Sequence, residues 1–165
     1  MDILVFSDSH GKERGMREAL ARQVRRVHAV FFLGDGLRDV NRLELGETAL
    51  FAVSGNCDWG SAAEAPDEIV IALEGHTLMA VHGHRYRVKD GYGALLARAA
   101  EIGADIVLSG HTHLPHAETL PVGTVLGRVT LERPMYLLNP GSIAAGSFGT
   151  LTLQRGSVLM AHGAL

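Results

Sequence analysis

Short apolar runs, each closed by polar residues, set the rhythm of this chain. Residues 3–6 and 29–33 are continuous apolar stretches rich in β-branched and aromatic side chains, which fits strands buried on both faces. Between them Met16, Leu20, Val24 and Val27 recur at helical spacing, and Arg17, Arg22, Arg25 and Arg26 fall on the outer face, where arginines are ordinarily solvated. A shorter helical pattern covers residues 37–45, and residues 48–53 read as a third strand. The order β-α-β-α-β favours a parallel sheet with right-handed crossovers.

Further along, residues 68–73 and 77–81 flank Gly75 and predict a hairpin. Residues 94–102 form an alanine-rich helical pattern closed by Gly103, and residues 105–109 give a strand. Beyond His116 the pattern changes to strand-like pieces at 125–131, 135–138, 149–153 and 158–161, with no helix between them. The expectation is an α/β first half and a more antiparallel second half. With 165 residues and 47% hydrophobic content, a single domain over residues 1–165 has material for a sizeable core.

The residues that close the apolar runs carry the chemistry. The first strand runs into Asp8 and His10, the second into Asp35, the third into Asn56, the hairpin into His82, and the strand at 105–109 into His111 and His113. A single strand-end aspartate is usually a turn former or helix cap. Five strand ends agreeing point instead to a site at the carboxyl edge of a sheet, where open α/β proteins place their ligands. In extended backbone, Asp8 and His10 share one side, as do His111 and His113, so each pair is expected to act as a two-point clamp.

Imidazole and carboxylate together suit manganese, iron, zinc or nickel better than calcium, which prefers oxygen alone. No C-x-x-C pair exists to make a structural zinc site. Seven donors exceed the shell of one ion but suit two ions sharing a carboxylate, with Asp35 as the candidate bridge. Two divalent ions, two aspartates and one hydroxide leave a net positive site, suited to an anionic phosphate ester, and neutral Asn56 adds an oxygen without reducing that charge. A metal pair about 3.5–4 Å apart can deprotonate a shared water and stabilise in-line displacement at phosphorus.

Composition narrows the remaining classes. A net charge of −3 argues against a stable nucleic-acid partner. Cys57 is the sole cysteine, so no intramolecular disulfide forms. The amino terminus lacks a basic n-region and no apolar run approaches a membrane span, so a cytoplasmic protein is expected.

The strings DSH at 8–10, GD at 34–35, GN at 55–56, HGH at 82–84 and GHTH at 110–113, in that order, resemble the metallophosphoesterase superfamily, also called calcineurin-like phosphoesterases. The compact length, GNCD and the NPGS string at 139–142 look like its small YfcE-type branch, which includes archaeal phosphodiesterases and is related to the retromer's metallophosphoesterase-like subunit. The resemblance implies a four-layer α/β/β/α sandwich and a phosphodiesterase acting on a small phosphodiester. It implies that Asp8, His10, Asp35 and His113 hold one ion and that Asp35, Asn56, His82 and His111 hold the other. Manganese is the expected metal, with nickel, zinc and iron as alternatives, and a homodimer or homotetramer is the assembly the family suggests. Asp35 and Asn56 are thus counted in the catalytic machinery. Many members carry a histidine after GN as a candidate general acid; here Cys57 stands there, and a thiol with an ordinary pKa near 8.5 suits that task poorly. Leaving-group protonation then falls to His84, to water, or to no residue. For Cys57 itself the simpler expectation is a small buried thiol that fills space.

Smaller expectations accompany these. Asp58 is a candidate to orient a neighbouring ligand, the NPGS backbone to support the histidine loops, and Tyr86 and Arg87 to touch substrate. His28, His76, His116 and His162 read as structural or peripheral. Segments 60–67 and 132–134 offer little for a specificity lid. The competing reading is a catalytically weak metal-binding interaction module on the same fold, which a missing ligand would signal; all seven positions are filled. A metallo-β-lactamase-like site lacks its aspartate in HTHLPH, and an amidohydrolase barrel needs about 250 residues.

Overall fold

In the computed structural model of the chain, residues 1–59, 64–154 and 156–165 are described. The first half runs β1 (Asp2–Phe6), α1 (Arg14–Ala21), β2 (Ala29–Phe32), α2 (Leu37–Val40), β3 (Ala49–Ala52), β4 (Glu68–Leu73), β5 (His76–Val81) and α3 (Gly93–Glu101). The second half runs β6 (Ile106–Ser109), β7 (Pro115–Leu120), the short pair β8 (Val125–Leu126) and β9 (Val129–Thr130), then β10 (Met135–Pro140), β11 (Ser147–Gln154) and β12 (Ser157–Ala164).

Among the described residues these strands form two five-stranded sheets, ordered β12-β11-β1-β2-β3 and β4-β5-β6-β10-β7, plus the β8-β9 ribbon. In the first sheet β1, β2 and β3 are parallel; in the second β5, β6 and β10 are parallel. The outer strands β11, β12, β4 and β7 are antiparallel to their neighbours.

Successive strand residues point to opposite faces, and the apolar runs therefore feed two cores each. Ile3, Val5, Phe31 and Leu33 meet Leu78, Ile106, Leu108 and Leu138 between the sheets. Leu4, Phe6, Val30 and Phe32 face outward onto Met16 and Ala19 of α1 and Leu37 and Val40 of α2. Met79, Val81, Val107 and Leu137 face outward from the second sheet onto Leu95, Leu96 and Ala99 of α3. Three apolar layers separate four structural layers, the α/β/β/α sandwich.

Local departures have identifiable causes. The stripe through Met16 and Leu20 stops short of Val24, which is 101% exposed, because α1 ends at Ala21 and the chain must turn back to start β2. Only residues 37–40 are helical in the second pattern; Leu43 and Leu45 still pack on the same core from irregular backbone. Residues 125–131 form two short strands, bent at Gly127 (φ +61°), instead of one. The edge strand β7 has no apolar run because most of it faces solvent, and Pro115 sits at its first position, where a missing amide is tolerated.

Candidate metal centre

The carboxyl ends of β1, β2 and β3 in one sheet and of β5 and β6 in the other lead into the polar motifs. The two parallel trios thereby bring Asp8, His10, Asp35, Asn56, His82, His111 and His113 to one edge of the sandwich. Three ligand-type groups within 4.8 Å of one another occur there among the described residues: Asp8 with His10 and His113, His10 with Asp35 and Cys57, and Asp35 with His82 and His111.

Backbone conformation differs from the extended clamps expected from sequence. Asp8 (φ 56°), His10 (45°), Asp35 (61°), His111 (68°) and His113 (62°) all lie in the left-handed region. For residues with a Cβ this costs roughly 1–2 kcal/mol each. The sum is comparable to the stability of a whole domain, about 5–15 kcal/mol, so the loops must be held by other bonds. It also explains the H-x-H spacing: left-handed turns at both histidines send His113 to the Asp8 group and His111 to the Asp35 group.

Those holding bonds come from distant residues. Asp58 accepts four amide hydrogen bonds, from Asp35 (2.8 Å), Gly36 (2.9 Å), Leu37 (3.0 Å) and Gly55 (2.8 Å), locking the loops after β2 and β3 together. Asp39 accepts from the Ser9 hydroxyl (2.6 Å) and the Gly11 amide (2.7 Å). Support from the NPGS string comes through side chains rather than backbone: the Asn139 amide donates to the Gly110 carbonyl (2.9 Å) and to Thr112 Oγ1 (3.0 Å), and the Ser142 hydroxyl donates to the Asp8 carbonyl (2.9 Å).

The donor atoms converge in a way that hydrogen bonding does not account for. Asp8 Oδ2 accepts from the Ser7 hydroxyl (2.5 Å) and the His111 amide (3.1 Å). Its Oδ1 is buried and accepts no hydrogen bond, although Nε2 of His113 lies 3.0 Å away and Nε2 of His10 lies 3.7 Å away. His82 donates from Nδ1 to the Leu33 carbonyl (2.6 Å), so in the neutral ring Nε2 bears a lone pair. That nitrogen faces Asn56 Oδ1 (3.2 Å), His111 Nδ1 (3.1 Å) and Asp35 Oδ2 (3.5 Å). Lone pairs collected around a common space, with one ring tautomer fixed by a backbone carbonyl, match a cation site.

Electrostatics agree with that arrangement. Burial works to raise the Asp35 pKa, but His82 in its protonated form and the Cys57 amide outweigh it and hold the carboxyl below the usual carboxylate range. His111 is pushed down to about 4 by burial and by the positive fields of His82 and Lys89, so its ring is neutral near pH 7. His84 is also lowered, by burial first and then by His82 and Arg85. Its ring centroid lies 5.4 Å from that of His82 and 6.1 Å from that of His111, at the margin of the cluster.

One sequence expectation, on Cys57, is corrected here. Cys57 is exposed and faces the cluster with His10 and Asp35, so it does not fill a core space; partial desolvation and the Asp35 carboxylate raise its thiol pKa. Tyr86 and Arg87 are turned to neighbours of their own, Tyr86 donating to Glu68 (2.7 Å) and Arg87 pairing with Asp90 (2.9 Å). His28 accepts the Asp2 amide, His76 pairs with Asp105, His116 stacks on Tyr92 and His162 bonds the Asn139 carbonyl, all away from the donor cluster. Of the segment weighed as a lid, residues 60–63 lie outside the described residues. Sequence reasoning missed Trp59, which borders the centre without belonging to any periodic pattern.

Fold and donor cluster together define a metallophosphoesterase-type protein, and comparison with known proteins agrees. The model of the calcineurin-like phosphoesterase superfamily domain matches residues 1–163, and the chain belongs to that superfamily. It is 29% identical over 160 residues to the probable metallophosphoesterase YsnB of Bacillus subtilis, covering 93% of this chain and 85% of that one. A probable metallophosphoesterase of Methanothermobacter thermautotrophicus is 32% identical over 145 residues, 86% of this chain and 77% of its own length. Among solved structures, a conserved Streptococcus pneumoniae protein described as a predicted phosphoesterase superimposes with TM-score 0.74 at 29% identity, covering 99% of this chain and 88% of that one. The fold is shared with an archaeal phosphodiesterase (TM-score 0.71, 19% identity, 98% and 99% covered) and with zinc-complexed Vps29 of Entamoeba histolytica (TM-score 0.70, 22% identity, 99% of each). Among the described residues no helix is long and apolar enough to cross a membrane.

Proposed function

We propose that this chain is a cytoplasmic phosphodiesterase holding two divalent ions, one by Asp8, His10, Asp35 and His113 and one by Asp35, Asn56, His82 and His111. The observation that carries the reading is the sharing of Asp35 between donor groups, His10 on one side and His82 with His111 on the other. When bound, such ions supply Lewis-acid stabilisation of phosphoryl charge and lower the pKa of water. The chain's own contribution is positional. Leu33 fixes the His82 tautomer, Asp58 fixes the Asp35 and Asn56 loops, and Asn139 fixes the loop of His111 and His113. Manganese is the proposed metal, with nickel, zinc and iron as alternatives. A small diester is the proposed substrate, in keeping with the structural likeness to the archaeal phosphodiesterase.

Protein stripped with chelator is expected to lose bis(p-nitrophenyl) phosphate hydrolysis by roughly 10³-fold or more and to recover on adding manganese, the matching monoester being the slower substrate. Turnover that persists while elemental analysis finds no metal would exclude the reading.

His84 is the proposed proton source for a poor leaving group. Because general acids contribute about 10²–10⁴-fold, His84→Gln should slow release of an alkoxide roughly 30-fold more than release of p-nitrophenoxide, which needs no proton. Equal effects on both leaving groups would remove His84 from that role.

A further inference from the structure

Trp59 is the chain's single tryptophan, and it is 89% exposed. A large aromatic side chain ordinarily buries much of its area, and this one stands in water beside a polar centre. Trp59 borders two cavities. One, of 310 Å³, is also lined by His10, Asp35, Cys57 and Arg38; the other, of 470 Å³, is also lined by Ser54, Asp67, His84 and Arg85. The indole thus stands between a cavity that reaches His10 and Asp35 of the candidate metal centre and a second one that reaches His84.

Its position is anchored by the chain just before it. The Cys57 amide donates to Asp35 Oδ1 (2.7 Å), the Asp58 amide donates to the Gly55 carbonyl (3.3 Å), and the Asp58 carboxylate holds the loops of Asp35 and Gly55. The backbone that carries Trp59 is therefore tied directly to the proposed bridging ligand.

The surroundings also say what kind of occupant fits. An apolar docking patch for a protein would set Trp59 among other exposed hydrophobic residues. Its cavity neighbours are instead mostly polar or charged, including Arg38, Asp58, Glu64, Asp67, His84 and Arg85. One flat apolar face among polar groups beside the proposed metal centre suits a small ligand that is polar apart from one flat ring. A metal pair recognises the phosphoryl group alone and is indifferent to the ester arms. An indole face stacks on a flat ring and gains little from a methyl or glyceryl arm.

We propose that Trp59 is the stacking surface for a flat aromatic ring on one ester arm of the substrate, which makes nucleoside phosphodiesters the preferred class. This rests on the phosphodiesterase reading above and assigns a specificity residue to it.

Two substrates with the same leaving group isolate the arm: the p-nitrophenyl ester of thymidine 5′-phosphate and methyl p-nitrophenyl phosphate. With manganese present, the wild-type protein should favour the thymidine ester in kcat/KM by about 5- to 100-fold, the range expected for one stacked base. Trp59→Ala should lose at least fivefold more on the thymidine ester than on the methyl ester, and Trp59→Phe should retain most of the preference. Because the chain has one tryptophan, binding can also be read without turnover: thymidine 5′-phosphate should quench its emission saturably, and methyl phosphate at the same concentration should not. Equal losses on both esters, or no saturable quenching by the nucleotide, would overturn the assignment. Absence of manganese-dependent hydrolysis of either ester by the wild-type protein would instead defeat the underlying phosphodiesterase reading.

Discussion

Asp35→Asn is expected to lower metal-dependent diester hydrolysis by about 10³- to 10⁴-fold while leaving the fold intact. The substitution keeps the side chain's shape and one carbonyl oxygen, so the Cys57 amide keeps an acceptor, now at 2.7 Å from Asp35 Oδ1. What it removes is charge and one ligand. Asp35 is buried and belongs to both the His10 group and the His82–His111 group, so the proposed ions lose their shared anion together. Without it, two divalent cations would repel across a few ångströms with only Asp8 to offset them. Bound metal should therefore fall from two ions per chain to one or none by elemental analysis, alongside unchanged circular dichroism. Two ions retained, with turnover within tenfold of wild type, would refute the bridging role. His10→Ala provides the contrast: His10 is a proposed ligand of one ion only, so the second ion should remain.

The parts of this arrangement legible in the sequence were those governed by side-chain burial and residue type. Runs such as 29–33 are apolar at every position because both faces of β2 meet a core, and that is visible without a structure. The donor types at the strand ends were equally legible, since parallel neighbours in a sheet must deliver their carboxyl ends to the same edge. Backbone conformation in the loops was not. The periodicity rules treat Asp8-Ser9-His10 and His111-Thr112-His113 as extended, whereas their outer members are left-handed, held there by Asp39, Asn139 and Ser142 from remote parts of the chain. No local pattern encodes a strain that long-range bonds impose. Trp59 escaped for a related reason: its meaning lies in what borders it in space. Val24 shows the reverse error, a residue that fits a helical stripe beyond the point where the helix has ended.

The same reasoning makes Gly55→Ala a damaging small substitution at the centre. A Cβ on Gly55 would collide with Oδ1 and the amide nitrogen of Asp35 and lie 2.8 Å from its Cγ. The loop opposite cannot retreat, because Gly34 is packed against the same segment, with room for no side chain: a Cβ there would stand 2.5 Å from the Gly55 amide nitrogen and 2.7 Å from its Cα. Asp58 bonds the amides of Asp35 and Gly55 through the same carboxylate oxygen, so separating the two loops also strains that clamp. Overpacking of this kind costs about 3 kcal/mol, which in a chain of this size lowers Tm by about 6–12 °C. The displacement falls on the Asp35 carboxylate, so metal affinity should drop at least about tenfold as well. Gly46→Ala separates strain from collision: Gly46 also has positive φ (56°), but nothing lies within 4 Å of its Cβ position. That variant should cost only about 1 kcal/mol and leave metal affinity alone. Thermal unfolding and metal titration of the two variants side by side decide the matter, and equal effects from both would mean that the contact between the Asp35 and Gly55 loops does not shape the centre.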